Sequence, residues 1–181
     1  MGGRKPALEE NDLMTRRYLA IDPGAGGALA LFSASGDLVR VVDMPTITVK
    51  EAGKNRRHIN TSHLARLIED DSPCHIFIEK VGARPGEGTV SSFSFGRAFG
   101  VLEGIAASRA IPTSFILPRL WKRGTQTPAD KNGARQRACQ LFPSHAASFA
   151  RVKDDGRAEA ALLGFYGLHT HQVVPCHEVS L

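Results

Sequence analysis

The sequence predicts one α/β domain, a mixed five-stranded sheet flanked by helices. Three observations carry this. The chain has 181 residues, about one domain with one substantial core. Short apolar runs of strand length, each stopped by turn chemistry, alternate with longer segments whose apolar residues recur at helical spacing. Apolar residues make up 42% and charged residues 23%, which is the composition of a soluble globular domain and not of a disordered or membrane-embedded chain.

Residues 1–17 are polar and aperiodic and read as a flexible arm. The domain is expected over 18–171, with a tail at 172–181. Tyr18 to Ile21 is an apolar run ended by Asp22-Pro23-Gly24, a strand running into a turn. Ala28 to Phe32 and Leu38 to Val42 are two more strands, separated by Ser33-Ala34-Ser35-Gly36-Asp37, so the opening reads as an antiparallel meander. Residues 45–60, polar and basic in the middle, read as a loop. Thr61 is the expected N-cap of a helix to Asp71 with Leu64, Leu67 and Ile68 on one face. His75 to Ile78 gives a fourth strand, and Gly82 to Gly88 a loop. A helix is expected from Ser91 to Ala110, with Gly96, Gly100 and Gly104 recurring every four residues. Each glycine costs roughly 1 kcal/mol in a helix, so that face is kept bare for close approach by a helix, DNA or a second subunit. Ser114 to Leu117 is the fifth strand. Thr127-Pro128 reads as the N-cap and N1 pair of a helix to Leu141, and a last helix runs from Asp155 to Leu168.

Composition also excludes classes of function. No apolar run approaches the ~18 residues of a spanning helix, so no membrane role is expected. The first residues hold charges of both signs and no apolar core, which argues for an intracellular protein rather than a secreted one. Cys74, Cys139 and Cys176 are odd in number and scattered, which excludes a disulfide framework or a cysteine zinc site. The GAGG run after Asp22 lacks the Gly-Lys-Ser/Thr of a phosphate loop, so no nucleotide cofactor is expected. His169 and His171 are two apart near the last residues, where a surface position is more usual than a metal pair.

The net charge is +5, but its distribution is uneven. Residues 119–157 hold nine basic groups, among them Arg119, Lys122, Arg123, Lys131, Arg135 and Lys153, against three acids, a surplus of six. A localised basic surface is the footprint expected for a polyanionic partner.

The acids are placed as chemistry would require. Asp22 and Glu79 each end an apolar strand, where a side chain leaves a rigid element and enters a cleft. Asp155 and Glu159 are four apart at the start of a helix and share a face. Carboxylates converging in this way suit hard cations such as Mg²⁺ or Mn²⁺, since unpaired they repel and raise one another's pKa. Each also has an ordinary reading: an Asp-Pro-Gly turn for Asp22, a salt bridge to Lys80 or Arg84 for Glu79, and first-turn helix acids for Asp154, Asp155 and Glu159.

Ile21-Asp22-Pro23-Gly24 with Gly27-Ala28-Leu29-Ala30, then Ile78-Glu79-Lys80-Val81, then Lys153 to Leu162 (KDDGRAEAAL) resemble the motifs of the RuvC family of Holliday junction resolvases, most closely its phage-type and chloroplast-type branch. The resemblance runs from Tyr18 to Leu168. It implies an RNase H-like fold, a homodimer, and metal-dependent cleavage of two opposed strands of a four-way DNA junction with 5′-phosphate products. By matching position it implies that Asp22, Glu79, Asp155 and Glu159 hold two Mg²⁺ ions per site, with Mn²⁺ as a possible substitute. The choice between Asp154 and Asp155 stays open, and the face shared with Glu159 favours Asp155. Lys131 matches a catalytic basic residue near the scissile phosphate. Arg119, Trp121, Lys122, Arg123, Arg135 and Lys153 are expected along the DNA backbone, although a lone tryptophan is more often a core anchor. Gly86 to Gly100, with Ser91, Ser92, Phe93 and Phe95, resembles the family's junction-centre loop and following helix, and Arg84 just before it is a further expected DNA contact. At the family's aromatic wedge this chain has Gly82, so the junction centre would be opened by Phe93 or Phe95 or recognised by shape alone.

Three other readings compete. An RNase H-like nuclease could act as a monomer on RNA–DNA hybrid or single strands. The sugar-kinase, Hsp70 and actin superfamily also has Asp-x-Gly after a first strand, but it needs two such domains and this chain has room for one. A junction-binding protein that does not cut would have no use for four acids facing DNA.

Overall fold

The structure is a computed structural model that describes residues 15–51, 53–80, 82, 86, 88–130 and 132–170. Strands β1 (Arg17–Asp22), β2 (Ala28–Ser33) and β3 (Leu38–Asp43) form the expected antiparallel meander. β6 (His75–Glu79) and β7 (Thr113–Ile116) complete one five-stranded sheet in the order β3-β2-β1-β6-β7. β1 pairs with β6 in parallel and β6 pairs with β7 in parallel, so the sheet is mixed. The helices are α1 (Thr61–Asp71), α2 (Thr89–Ser108), α3 (Pro118–Gly124), α4 (Gly133–Leu141) and α5 (Asp155–Thr170), with 3-10 turns at Pro143–Phe149 and Val152–Asp154. No helix among the described residues is long and apolar enough to cross a membrane.

Both faces of the sheet are covered, and the alternation of strand side chains decides which residue meets which helix. Leu19, Ile21, Leu29, Leu31, Ile76 and Ile78 point to one face and pack with Leu64 and Ile68 of α1 and Leu102 of α2. Ala20, Ala30, Phe32 and Phe77 point to the other face, against α5 and Trp121. Continuing the alternation carries Asp22, two after Ala20, and Glu79, two after Phe77, onto the α5 face. There the small residues are on the helix. A Cβ added at Gly164 would run into the Phe32 ring, and one at Gly167 would come within 2.7 Å of Phe77. α5 therefore lies flush on the central strands.

Four expectations about elements are corrected. Residues 45–60 are not a loop: β4 (Thr46–Glu51) and β5 (Lys54–Ile59) pair as an antiparallel hairpin. The hairpin stands apart from the main sheet, and β5 (KNRRHI) carries charge where a buried strand would carry apolar side chains. Thr61 is not the N-cap of α1. Asn60 is, its side chain accepting a hydrogen bond from the His63 N–H. Thr127-Pro128 starts no helix, since α4 begins at Gly133. Pro118 does start one, α3, a short helix missing from the sequence reading because two turns leave too little periodicity to detect.

Candidate metal centre

Three elements converge at the C-terminal ends of β1 and β6. Asp22 Oδ, Glu79 Oε and Glu159 Oε offer one oxygen each, all within 4.8 Å of one another. Asp22 is half-buried, Glu79 is 8% exposed, and the Glu159 side chain is 28% exposed. Burial pushes the Asp22 carboxyl well above the ordinary aspartate range, and the like charges of Glu159 and Glu79 push it further, while Lys122 opposes both.

Two residues of α3 hold this cluster. Trp121 is fully buried, and its indole Nε1–H donates to Glu79 Oε1 at 2.8 Å. Lys122 Nζ lies 3.1 Å from Glu159 Oε1 and 5.0 Å from the centre of the Trp121 ring. Adjacent residues of one short helix thus fix two of the three carboxylates. The donor set fits a hard divalent cation. Octahedral Mg²⁺ with ligands at ~2.1 Å places its ligand oxygens roughly 3–4.2 Å apart, and the observed spacing needs little adjustment to meet this.

Asp155 does not join the cluster, contrary to expectation. Its carboxylate is 52% exposed and pairs with Arg135 Nε at 2.9 Å. Asp154 does not join either. It is buried under Arg151, which lies 2.8 Å from its Oδ1, and it accepts the Arg151 backbone N–H at 2.8 Å. That pairing holds its carboxyl below the usual range. The position facing Asp22 is Gly156, where a Cβ would lie 3.1 Å from Asp22 Oδ2 and 2.5 Å from the Gly26 carbonyl oxygen. The reason is helical phase. At ~3.6 residues per turn, Gly156 sits roughly 60° to one side of Glu159 and Asp155 roughly 40° to the other. The sheet lies on the Gly156 side.

The other expected residues scatter. Arg84 and Lys131 lie outside the described residues, and Ser91 falls in the first turn of α2. Phe93 is 74% exposed, while Ser92 and Phe95 are half-buried. Arg119, Arg123 and Lys153 are exposed. Trp121 cannot lie along a DNA backbone, because it is wholly inside the protein. The basic stretch is also less available than its count implies: Lys122, Arg135, Arg151 and Arg157 are paired with Glu159, Asp155, Asp154 and Asp43. Two groups near the site were missed, the indole N–H on Glu79 and the arginines of the hairpin. A Trp-Lys pair just after a strand and proline was the available signal for the first.

The fold and site together define an RNase H-like α/β domain carrying a three-carboxylate centre. Two solved structures share its fold over most of the chain. T. thermophilus RuvC in complex with a Holliday junction substrate superposes with a TM-score of 0.53 at 15% identity, covering 86% of this chain and 96% of that one. The yeast mitochondrial Holliday junction resolvase Ydc2 gives a TM-score of 0.51 at 15% identity, covering 84% of this chain and 78% of its own. The expected fold is thereby established as RuvC-like. No family model matches the chain, and no curated protein sequence does.

Proposed function

We propose that this protein is a metal-dependent endodeoxyribonuclease that resolves four-way DNA junctions by paired, symmetric strand cuts leaving 5′-phosphates. The observation that carries the reading is the meeting of Asp22, Glu79 and Glu159 at the ends of two adjacent parallel strands of a RuvC-like sheet. These three side chains would hold Mg²⁺ or Mn²⁺, with two ions per site once a substrate phosphate adds its charge. A metal held there would supply Lewis-acid activation of a water and charge neutralisation at the departing 3′-oxygen. Trp121 fixes the Glu79 rotamer, and Lys122 balances Glu159 at the edge of the site. Lys131 enters the proposal as a group that stabilises charge on the non-bridging phosphate oxygens.

Paired cuts need two sites related by a two-fold axis, hence a homodimer. A Cβ at Gly96, Gly100 or Gly104 of α2 would meet nothing within 4 Å among the described residues, so this bare stripe is open to meet a second copy. Light scattering near 39 kDa, twice the 19.5 kDa chain, is the expected result.

The deciding experiment uses Asp22→Asn and Glu79→Gln on synthetic four-way junctions with Mg²⁺. Cleavage should vanish while junction binding is kept or improved, because less negative charge faces the phosphates. Undiminished cutting by both variants would discard the site.

A further inference from the structure

On the far side of the β1–β2 turn from Asp22 lies a cleft of about 270 Å³ between the β4–β5 hairpin and the first half of α2. Its walls carry Arg56 and Arg57 from β5 and Arg97 and Phe95 from α2, and its rim is Gly24, two residues beyond Asp22. It is flanked by a second hollow of about 340 Å³ that shares the three arginines and is bordered by the exposed Phe93 ring.

The charge here is available in a way that the 119–157 stretch is not. Residues 50–57 hold Lys50, Lys54, Arg56 and Arg57 against the single acid Glu51. Glu51 lies 2.9 Å from His58 and only 3.7 Å from Arg56. Arg57 and Arg97 are exposed, and neither has an ion-pair partner among the described residues. Arg57 leans over the turn, with Nη2 at 3.8 Å from the Cβ position of Gly26. Two uncommitted guanidinium groups thus border the same turn that presents Asp22 on its other side. Guanidinium forks match phosphate oxygens, and aromatic rings beside them accept a base face.

We propose that this cleft is a nucleic-acid backbone site, in which Arg57 and Arg97 hold phosphates of the strand that continues across the β1–β2 turn into the carboxylate centre. The inference rests on the nuclease reading and adds a metal-independent anchor to it. Three carboxylates repel a polyanion, and the arginines offset that repulsion a few residues away.

The test measures binding of a labelled synthetic four-way junction, and of linear duplex, to the full chain by fluorescence anisotropy in EDTA across a KCl series. Each lost phosphate contact should flatten the log–log salt slope by about 0.9. Arg57→Gln/Arg97→Gln should therefore reduce the slope by about 1.8 and weaken binding roughly tenfold or more at low salt. Arg57→Lys/Arg97→Lys should keep the slope. Both side chains are exposed, so melting temperatures should stay at the wild-type value. If the double variant does not fold, Arg97→Gln alone should lose about 0.9 of slope. Wild-type affinity and slope in the glutamine variant overturn the cleft and leave the nuclease standing. Full displacement of the junction by a mononucleotide or inorganic phosphate at millimolar concentration overturns the backbone assignment in favour of a small-anion pocket. A wild-type chain that binds no DNA removes the nuclease reading and the cleft together.

Discussion

Trp121→Phe separates the role of the indole N–H from that of the indole's bulk. The substitution keeps an aromatic ring in a fully buried position and removes the donor that sits 2.8 Å from Glu79 Oε1. Two losses add. A hydrogen bond to a charged group contributes about 1.5–3 kcal/mol. The smaller ring leaves roughly 40 Å³ empty, costing about 1 kcal/mol at ~24 cal/mol per Å³. The expected destabilisation is therefore about 2.5–4 kcal/mol, read by thermal or urea unfolding in EDTA. The consequence for metal is separate: an outer partner that orients a ligand changes affinity by about 10–100-fold when removed, so Mn²⁺ titration calorimetry should show a loss of that size. A double-mutant cycle with Glu79→Gln isolates the pair. Coupling near zero, together with unchanged Mn²⁺ affinity, would reduce Trp121 to a filler of the core and refute the argument.

Three further outcomes are expected. Asp22 has a raised pKa through burial first and then through Glu159 and Glu79. The folded state therefore keeps a proton that the unfolded chain has released, and metal-free stability should fall as pH rises from the ordinary 3.8 through the raised value. Below that window the order reverses, because Asp43 and Asp154 are held low by Arg157 and Arg151 and their contribution is lost on protonation. Urea midpoints against pH in EDTA check this, and the fall should flatten in saturating Mg²⁺. Gly156→Ala brings a Cβ to 2.5 Å from the Gly26 carbonyl oxygen and should destabilise by about 1–3 kcal/mol. A raised melting temperature, the usual effect of alanine in an open helix, would refute the close approach of α5. Asp155→Asn breaks an ion pair whose acid is half-exposed and should cost less than about 1 kcal/mol, with junction cleavage largely kept. Loss as complete as in Asp22→Asn would return Asp155 to the ligand set.

What the sequence disclosed follows from where its signals are strong. The five central strands were legible because each is a dense apolar run between turns, and Asp22 and Glu79 stood out because an acid at the end of such a run has no packing reason to be there. Glu159 was legible as a charge near the start of an otherwise small, apolar helix, AEAALLG. Asp155 was misplaced because shared helical face is a coarse criterion: it admits residues on both sides of Glu159, and only the position of the sheet chooses between them. The hairpin was missed because β5 (KNRRHI) is exposed and charged and gives no contrast, which outweighed the short alternation Thr46-Ile47-Thr48-Val49 in β4. The partners of Arg135 and Arg157 were invisible for another reason. Asp43 is more than a hundred residues from Arg157 in sequence, and the Arg135–Asp155 pair depends on how α4 packs against α5.

The unequal fate of the charges is the strongest physical argument about this molecule. Two carboxylates whose oxygens lie within 4.8 Å of each other repel by about 3.5 kcal/mol or more at an effective dielectric constant of ~20. Three such pairs would together approach the whole net stability of a typical domain, about 5–15 kcal/mol. The fold cannot hold the cluster fully ionised and bare. Lys122 supplies one positive charge, at 3.1 Å from Glu159, and burial with the like charges of Glu159 and Glu79 raises the Asp22 pKa, which favours its protonated form in the metal-free protein. With all three acids ionised, Lys122 leaves a deficit of two charges, which one divalent cation fills. A purely structural cluster would gain by replacing Asp22 or Glu79 with an apolar residue, since both lie against a well-packed core. Keeping the carboxylates there costs stability in the metal-free protein, and that cost is consistent with a site built to bind a cation.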